Sequence, residues 1–141
     1  MQYVCDAPPY TWFRVETEGE AALESHAMNH AVEKYFCQAK EEAVQSYVPP
    51  TSARYVEQSI GLKAHVQRVM PRFLTLRDSE GKALVTAMLP PDGLDERAFR
   101  PVVVGVENTD PYPEYAGAIA TLARHYGLTL DPVRCYPYRR G

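Results

Sequence analysis

No apolar run in the chain approaches the roughly 20 residues that a membrane-spanning helix needs. The opening stretch, MQYVCDAPPYTW, has neither the basic start nor the apolar centre of a secretory signal. The expectation is a cytoplasmic protein with no membrane partner. Cysteine is scarce. The three that occur, Cys5, Cys37 and Cys135, are odd in number and far apart. No CxxC pair exists, which excludes a zinc ribbon and a thioredoxin-type redox motif, and reduced thiols fit better than a disulfide framework. Basic residues are not in surplus either. The net charge of −3 argues against the broad cationic footprint of a nucleic-acid binder, so nucleic acid is not an expected partner. A glycine-rich phosphate loop, a GxSxG elbow, internal repeats and low-complexity tracts are all missing. These absences leave no motif on which to assign a reaction, and the balance leans away from an enzyme.

What is present suffices for one ordinary domain spanning 1–141. A chain of 141 residues with 45% hydrophobic and 23% charged residues can bury a core without metal or disulfide staples. Its many alanines, arginines and prolines give the composition a bacterial cast.

Periodicity and punctuation supply the elements. Pro8-Pro9 ends a short N-terminal arm, and YTWFRVE is a β-rich first strand. Thr17-Glu18-Gly19-Glu20 has the form of a capping box, with threonine at the N-cap and glutamate at N3. One long helix is expected from about Glu18 to about Tyr47, ended by Pro49-Pro50. Its length of about 45 Å is large for a small domain, so a break or an overhanging end would not surprise. A short helix is expected from about Gly61 to Val69. The segment RFLTLRDSEGKALVTAML reads as a hairpin turning at Asp78 to Gly81, with Gly81 left-handed. The run Val102-Val103-Val104 marks a strand buried on both faces or nearly so. Tyr112 to Tyr126 is a helix with Gly127 just past its end, and the tail adds a short edge strand before Pro132. Hairpins with separate helices imply an α+β fold: an antiparallel sheet of about four strands, with the long N-terminal helix and a C-terminal helix packed mainly on one face.

Residues 24–37 read ESHAMNHAVEKYFC. On one continuous helix, Ala21, Met28, Val32, Tyr35, Phe36, Ala39 and Ala43 share the core stripe. His26, His30, Glu33, Cys37 and Glu41 then lie near the opposite side, joined by Leu23 and Val44. Histidines at i and i+4 can place two imidazole nitrogens on one divalent ion such as zinc, and Glu33 adds a carboxylate. Four ligands in a straight line cannot all wrap one ion, so the remainder must come from elsewhere, and His65 or His125 could supply one if the fold brings it near. The glutamate is also not placed as in an HExxH motif. The plain alternative is a solvated helix face, or one that meets a partner protein.

Two further stretches carry functional residue types. The tail Arg134-Cys135-Tyr136-Pro137-Tyr138-Arg139-Arg140 interleaves arginine with tyrosine, which suits phosphate and ring contacts but equally serves to pin and solubilise a tail. The loop Asn108 to Glu114 lies between strand and helix, where ligand-contacting loops occur, although Asp110 also suits a turn into the helix.

The leading expectation is a protein that acts by contact with a protein partner or with itself as a homodimer, in an adaptor or regulatory role. Its surface would comprise Leu23, Cys37 and Val44 on the helix with Arg134, Tyr136 and Tyr138 in the tail. The alternatives are a metal-binding protein or metal-dependent enzyme using His26, His30 and Glu33, and a small-molecule-binding domain with a tyrosine-lined pocket between sheet and helices.

Overall fold

The computed structural model of the chain describes residues 1–51 and 54–136. It is an α+β fold built on an antiparallel sheet. Strands β1 (Gln2–Ala7), β2 (Tyr10–Arg14), β3 (Arg72–Arg77), β4 (Ala83–Leu89) and β5 (Val102–Val104) lie side by side in chain order. Helices α1 (Glu18–Met28), α2 (Val32–Gln45) and α3 (Tyr55–Val69) occupy the connection between β2 and β3, and α4 (Tyr112–Tyr126) follows β5.

The sheet thus has five strands rather than about four. The added one is β1, the expected N-terminal arm, which pairs with β2 across a two-residue turn at Pro8-Pro9. Its pairing is interrupted by a bulge between Tyr3 and Cys5, which breaks the alternation by which a strand is recognised. The hairpin at Asp78 to Gly81 forms as expected, with Gly81 at φ +80°. Asp78 holds it by accepting from the Glu80 and Lys82 amides.

Helices cover both faces of this sheet. Successive side chains of a strand point to opposite sides, and each side of β3 and β4 meets its own core. Leu74, Leu76, Val85, Ala87 and Leu89 join Trp12, Val103, Ala118, Ile119 and Leu122 under α4. Phe73 joins Val15, Ala21, Val32, Phe36 and Ala43 under α1 and α2, with Met88 packed against them. The C-terminal helix therefore lies on the face opposite to the N-terminal helices. The indole N–H of Trp12 donates to the Ala118 carbonyl at 2.9 Å and ties α4 to the sheet. Burial on both sides explains why RFLTL in β3 is buried at every position.

The long helix is two helices. The capping box at Thr17 and Glu20 forms as expected. The chain then leaves the helix at Asn29, a left-handed cap with φ 51°, ψ 56°, and resumes at Val32. Asparagine tolerates this conformation better than most residues, and its N–H closes on the Ser25 carbonyl. No side chain of its own N-cap residue, Ala31, caps α2. Ser25 does so from across the break, its Oγ accepting from the Glu33 amide at 2.8 Å. Of the expected core stripe, Ala21, Met28, Val32, Phe36 and Ala43 are buried, whereas Tyr35 is 54% exposed.

Helix α3 begins earlier than expected and buries none of its side chains fully. It leans on the end of α2, where Gly61 leaves room for the Tyr47 ring. His65 also bonds Ser46 at 2.7 Å there. At the other end of the sheet, Tyr136 adds a single parallel bridge to Val102, through Tyr136 N–H to Pro101 at 2.9 Å and Val103 N–H to Tyr136 at 3.2 Å. The tail thus extends the sheet edge at Tyr136, past Pro132 rather than before it. Among the described residues, no helix is long and apolar enough to cross a membrane.

Candidate functional site

Glutamate 24 occupies the core stripe of α1 with Ala21 and Met28 and has no exposed surface. An ionised carboxylate there must be fully partnered, because its desolvation costs several kcal/mol, by order of magnitude. The sheet supplies the partners. Arg77 of β3 donates from Nη2 to Oε1 at 2.6 Å, and Thr86 of β4 donates from Oγ1 to Oε2 at 2.5 Å. Arg77 is fixed in turn by Thr75 and by the Gly81 carbonyl, each at 3.0 Å.

The chain of bonds continues to His30, whose Nε2 lies 3.0 Å from Thr86 Oγ1. A threonine hydroxyl has one proton, and here Glu24 takes it. The hydroxyl can therefore only accept from His30, which assigns the imidazole as the neutral Nε2–H tautomer. Burial holds the His30 pKa below its usual value, against the upward pull of its own backbone carbonyl and of Glu24. A carboxylate thus fixes the tautomer and orientation of an imidazole, as in hydrolytic triads, but with a threonine between them.

Beyond His30 a cleft of about 300 Å³ opens between the sheet and the helix layer. Phe73, Thr86, Met88, Val102 and Val104 form its sheet wall, and His30, Ala31, Val32 and Tyr35 form the helix side. Asn108 and Tyr136 complete the rim. Among the described residues the left-handed non-glycine positions are Asn29, Glu107 and Asn108. All three flank this cleft in sequence or line it. Each costs on the order of 1–2 kcal/mol in an ordinary residue, somewhat less in asparagine, and such conformations cluster at ligand-contacting sites.

Among the described residues, no lysine or arginine lines the cleft. The start of α2 faces it, and a helix N-terminus favours an anion by about 0.3–1 kcal/mol, at most about 2. Desolvating an unpaired carboxylate costs more than that. The electrostatic balance therefore favours an uncharged occupant.

The residues singled out from sequence lie at several places in the fold. His30 lies in the link between helices, so it does not stand one helical turn from His26. His26 and Glu33 are exposed. His65 bonds Ser46 and Arg68, His125 meets the Tyr126 ring edge-on, and Cys135 is buried in the core under α4. Among the described residues, no three His, Cys, Asp or Glu side chains are grouped to hold an ion. Leu23 and Val44 are exposed and Cys37 is half-buried. Arg134 is exposed and bonds the Arg97 carbonyl at 3.1 Å. Tyr136 lines the cleft, and Tyr138 lies outside the described residues.

Truncating Glu24 leaves Arg77 and Thr86 facing an empty position in the core. Glu24→Ala is expected to destabilise the fold by about 3–5 kcal/mol in urea unfolding; a cost under about 1 kcal/mol would contradict a buried, paired carboxylate. His30 generates a pH dependence. Its folded pKa is depressed, so below about 6.5 the unfolded state binds the proton more readily than the folded state. The stability it contributes is present above that pH and is lost as pH falls through the folded value. Unfolding measured at pH 7.5 and 5.5 should show a larger loss on acidification in the wild type than in His30→Gln. A steeper loss in the variant would reverse the sign assigned here. No protein-family model, curated protein or solved structure matches this chain, and its function is argued from its own geometry.

Proposed function

We propose that the chain is a binding domain for a small, largely apolar molecule held in the cleft between the sheet and the α1–α2 layer. One observation carries this reading: a fully buried carboxylate relay, Arg77–Glu24–Thr86–His30, ends at the wall of an otherwise apolar cleft. A convergent polar group in a mostly apolar concavity is the usual makeup of a ligand site. A cavity of about 150 Å³ accommodates benzene, so about 300 Å³ suits two fused rings, or about ten heavy atoms. Nitrogen-labelled protein titrated with aromatic fragments of that size should show amide shifts concentrated at Val32, Tyr35, Thr86, Val104 and Asn108. Val104→Trp, which fills the cleft, should remove them. Fragments that map elsewhere, or that bind Val104→Trp unchanged, would count against the cleft.

A second reading, contact with another protein, is favoured by a separate observation. Helix α3 buries no side chain fully, and it leaves Tyr55 83%, Val56 66% and Ile60 66% exposed, with Val48 nearby in sequence at 86%. These apolar side chains are more exposed than Cys37 and Val44, which makes α3 the better candidate for a homodimer contact. The homodimer form predicts sedimentation that rises with concentration in the wild type and not in Ile60→Glu. A strict monomer at high concentration removes it.

A further inference from the structure

The directions of the hydrogen bonds around His30 determine what an occupant of the cleft must bring, on the reading that the cleft binds a small molecule. Arg77 Nη2 and Thr86 Oγ1 donate to Glu24, Arg77 Nε and Nη1 donate to Thr75 and the Gly81 carbonyl, and His30 Nε2 donates to Thr86. These donors are therefore committed within the fold. What remains is an acceptor, the lone pair of His30 Nδ1. Its donor in the fold is the Val32 N–H at 3.4 Å, longer than the usual range of about 2.7–3.2 Å. The bond is weak, and Nδ1 is the under-used polar atom of the imidazole.

The cleft that His30 lines is largely apolar, with no charged side chain other than the imidazole itself among its described residues: Phe73, Met88, Val102 and Val104 line the sheet side, and Tyr35, Asn108 and Tyr136 are also part of the lining. Such surfaces favour an aromatic body, through ring–ring and sulfur–ring contacts. An ether or a carboxylate offers a second acceptor to an acceptor and leaves Nδ1 poorly served. A hydroxyl or ring N–H matches it.

We infer that the cleft selects an uncharged aromatic molecule of about two rings that donates one hydroxyl or N–H hydrogen bond to His30, the chemistry of a naphthol or an indole. Three compounds of nearly equal shape separate the chemistries: 2-naphthol, 2-methoxynaphthalene and 2-naphthoate. In nitrogen-labelled wild-type protein, 2-naphthol is expected to bind about tenfold more tightly than the methyl ether, as one hydrogen bond predicts. It should also move the His30 Nδ1 resonance, and 2-naphthoate should bind weakest. In His30→Phe, affinity for 2-naphthol should fall to that for the ether, with the ether little changed. Equal affinity for 2-naphthol and its ether in the wild type, or tightest binding by 2-naphthoate, overturns the donor inference while leaving a ligand in the cleft. Absence of shifts at the cleft with all three overturns the cleft reading and this inference together. The wild-type comparison decides the matter even if His30→Phe does not fold.

Discussion

The grip of Arg77 and Thr86 on the Glu24 carboxylate fixes how the helix layer sits on the sheet. It is a polar contact that joins α1 to β3 and β4, and it is directional where the surrounding contacts of Ala21, Phe36 and Phe73 are not. Apolar packing alone would allow α1 to slide or rotate by a residue at little cost. A carboxylate with two short bonds does not. Buried ion pairs add little net stability compared with apolar residues of similar volume. An arrangement of this kind is better understood as setting position, and what it positions is His30.

The link after α1 follows from the same constraint. Met28 closes the core stripe of α1, and α2 must turn to place Val32 and Phe36 over Val15 and Phe73. Asn29 takes the left-handed turn, and Ser25 caps the new helix across the gap. His30 is thereby released from helical geometry, and its side chain reaches down to Thr86 instead of pointing along a helix face. The cleft is the space left where the two helices part above the sheet.

Much of this fold was legible from local signals. The capping box, the Asp78–Gly81 hairpin and the Tyr112–Tyr126 helix with its glycine cap each rest on residues within one turn of one another, and they form as read. What was missed depends on distant partners. The bulge concealed β1. Placing α4 on the opposite face required noticing that RFLTL and ALVTAML admit little solvent on either side. The carboxylate at the centre of the site was visible in principle: Glu24 falls three residues after Ala21 and four before Met28, on the stripe itself. A charged residue in that place demands a partner, and Arg77 and Thr86 both lay in predicted strands. The histidine spacing drew attention instead, and it lost its meaning once the helix broke at Asn29.

Tyr136 joins the sheet edge to the cleft. Sequence reasoning placed it on a tail that meets a partner, and the structure seats its backbone on the edge of β5 and its ring at the cleft. Its main chain completes the hydrogen bonding of Val103 and Pro101, so the ring is carried by the sheet rather than by a free tail. The opposite wall is carried by the relay through Glu24. Both sides of the cleft are therefore anchored to the same sheet, one through a backbone bridge and one through a buried charge. On the proposed reading, a small molecule would meet walls already held in place, and His30 Nδ1, whose bond from the Val32 N–H is long, would be an acceptor that selects it.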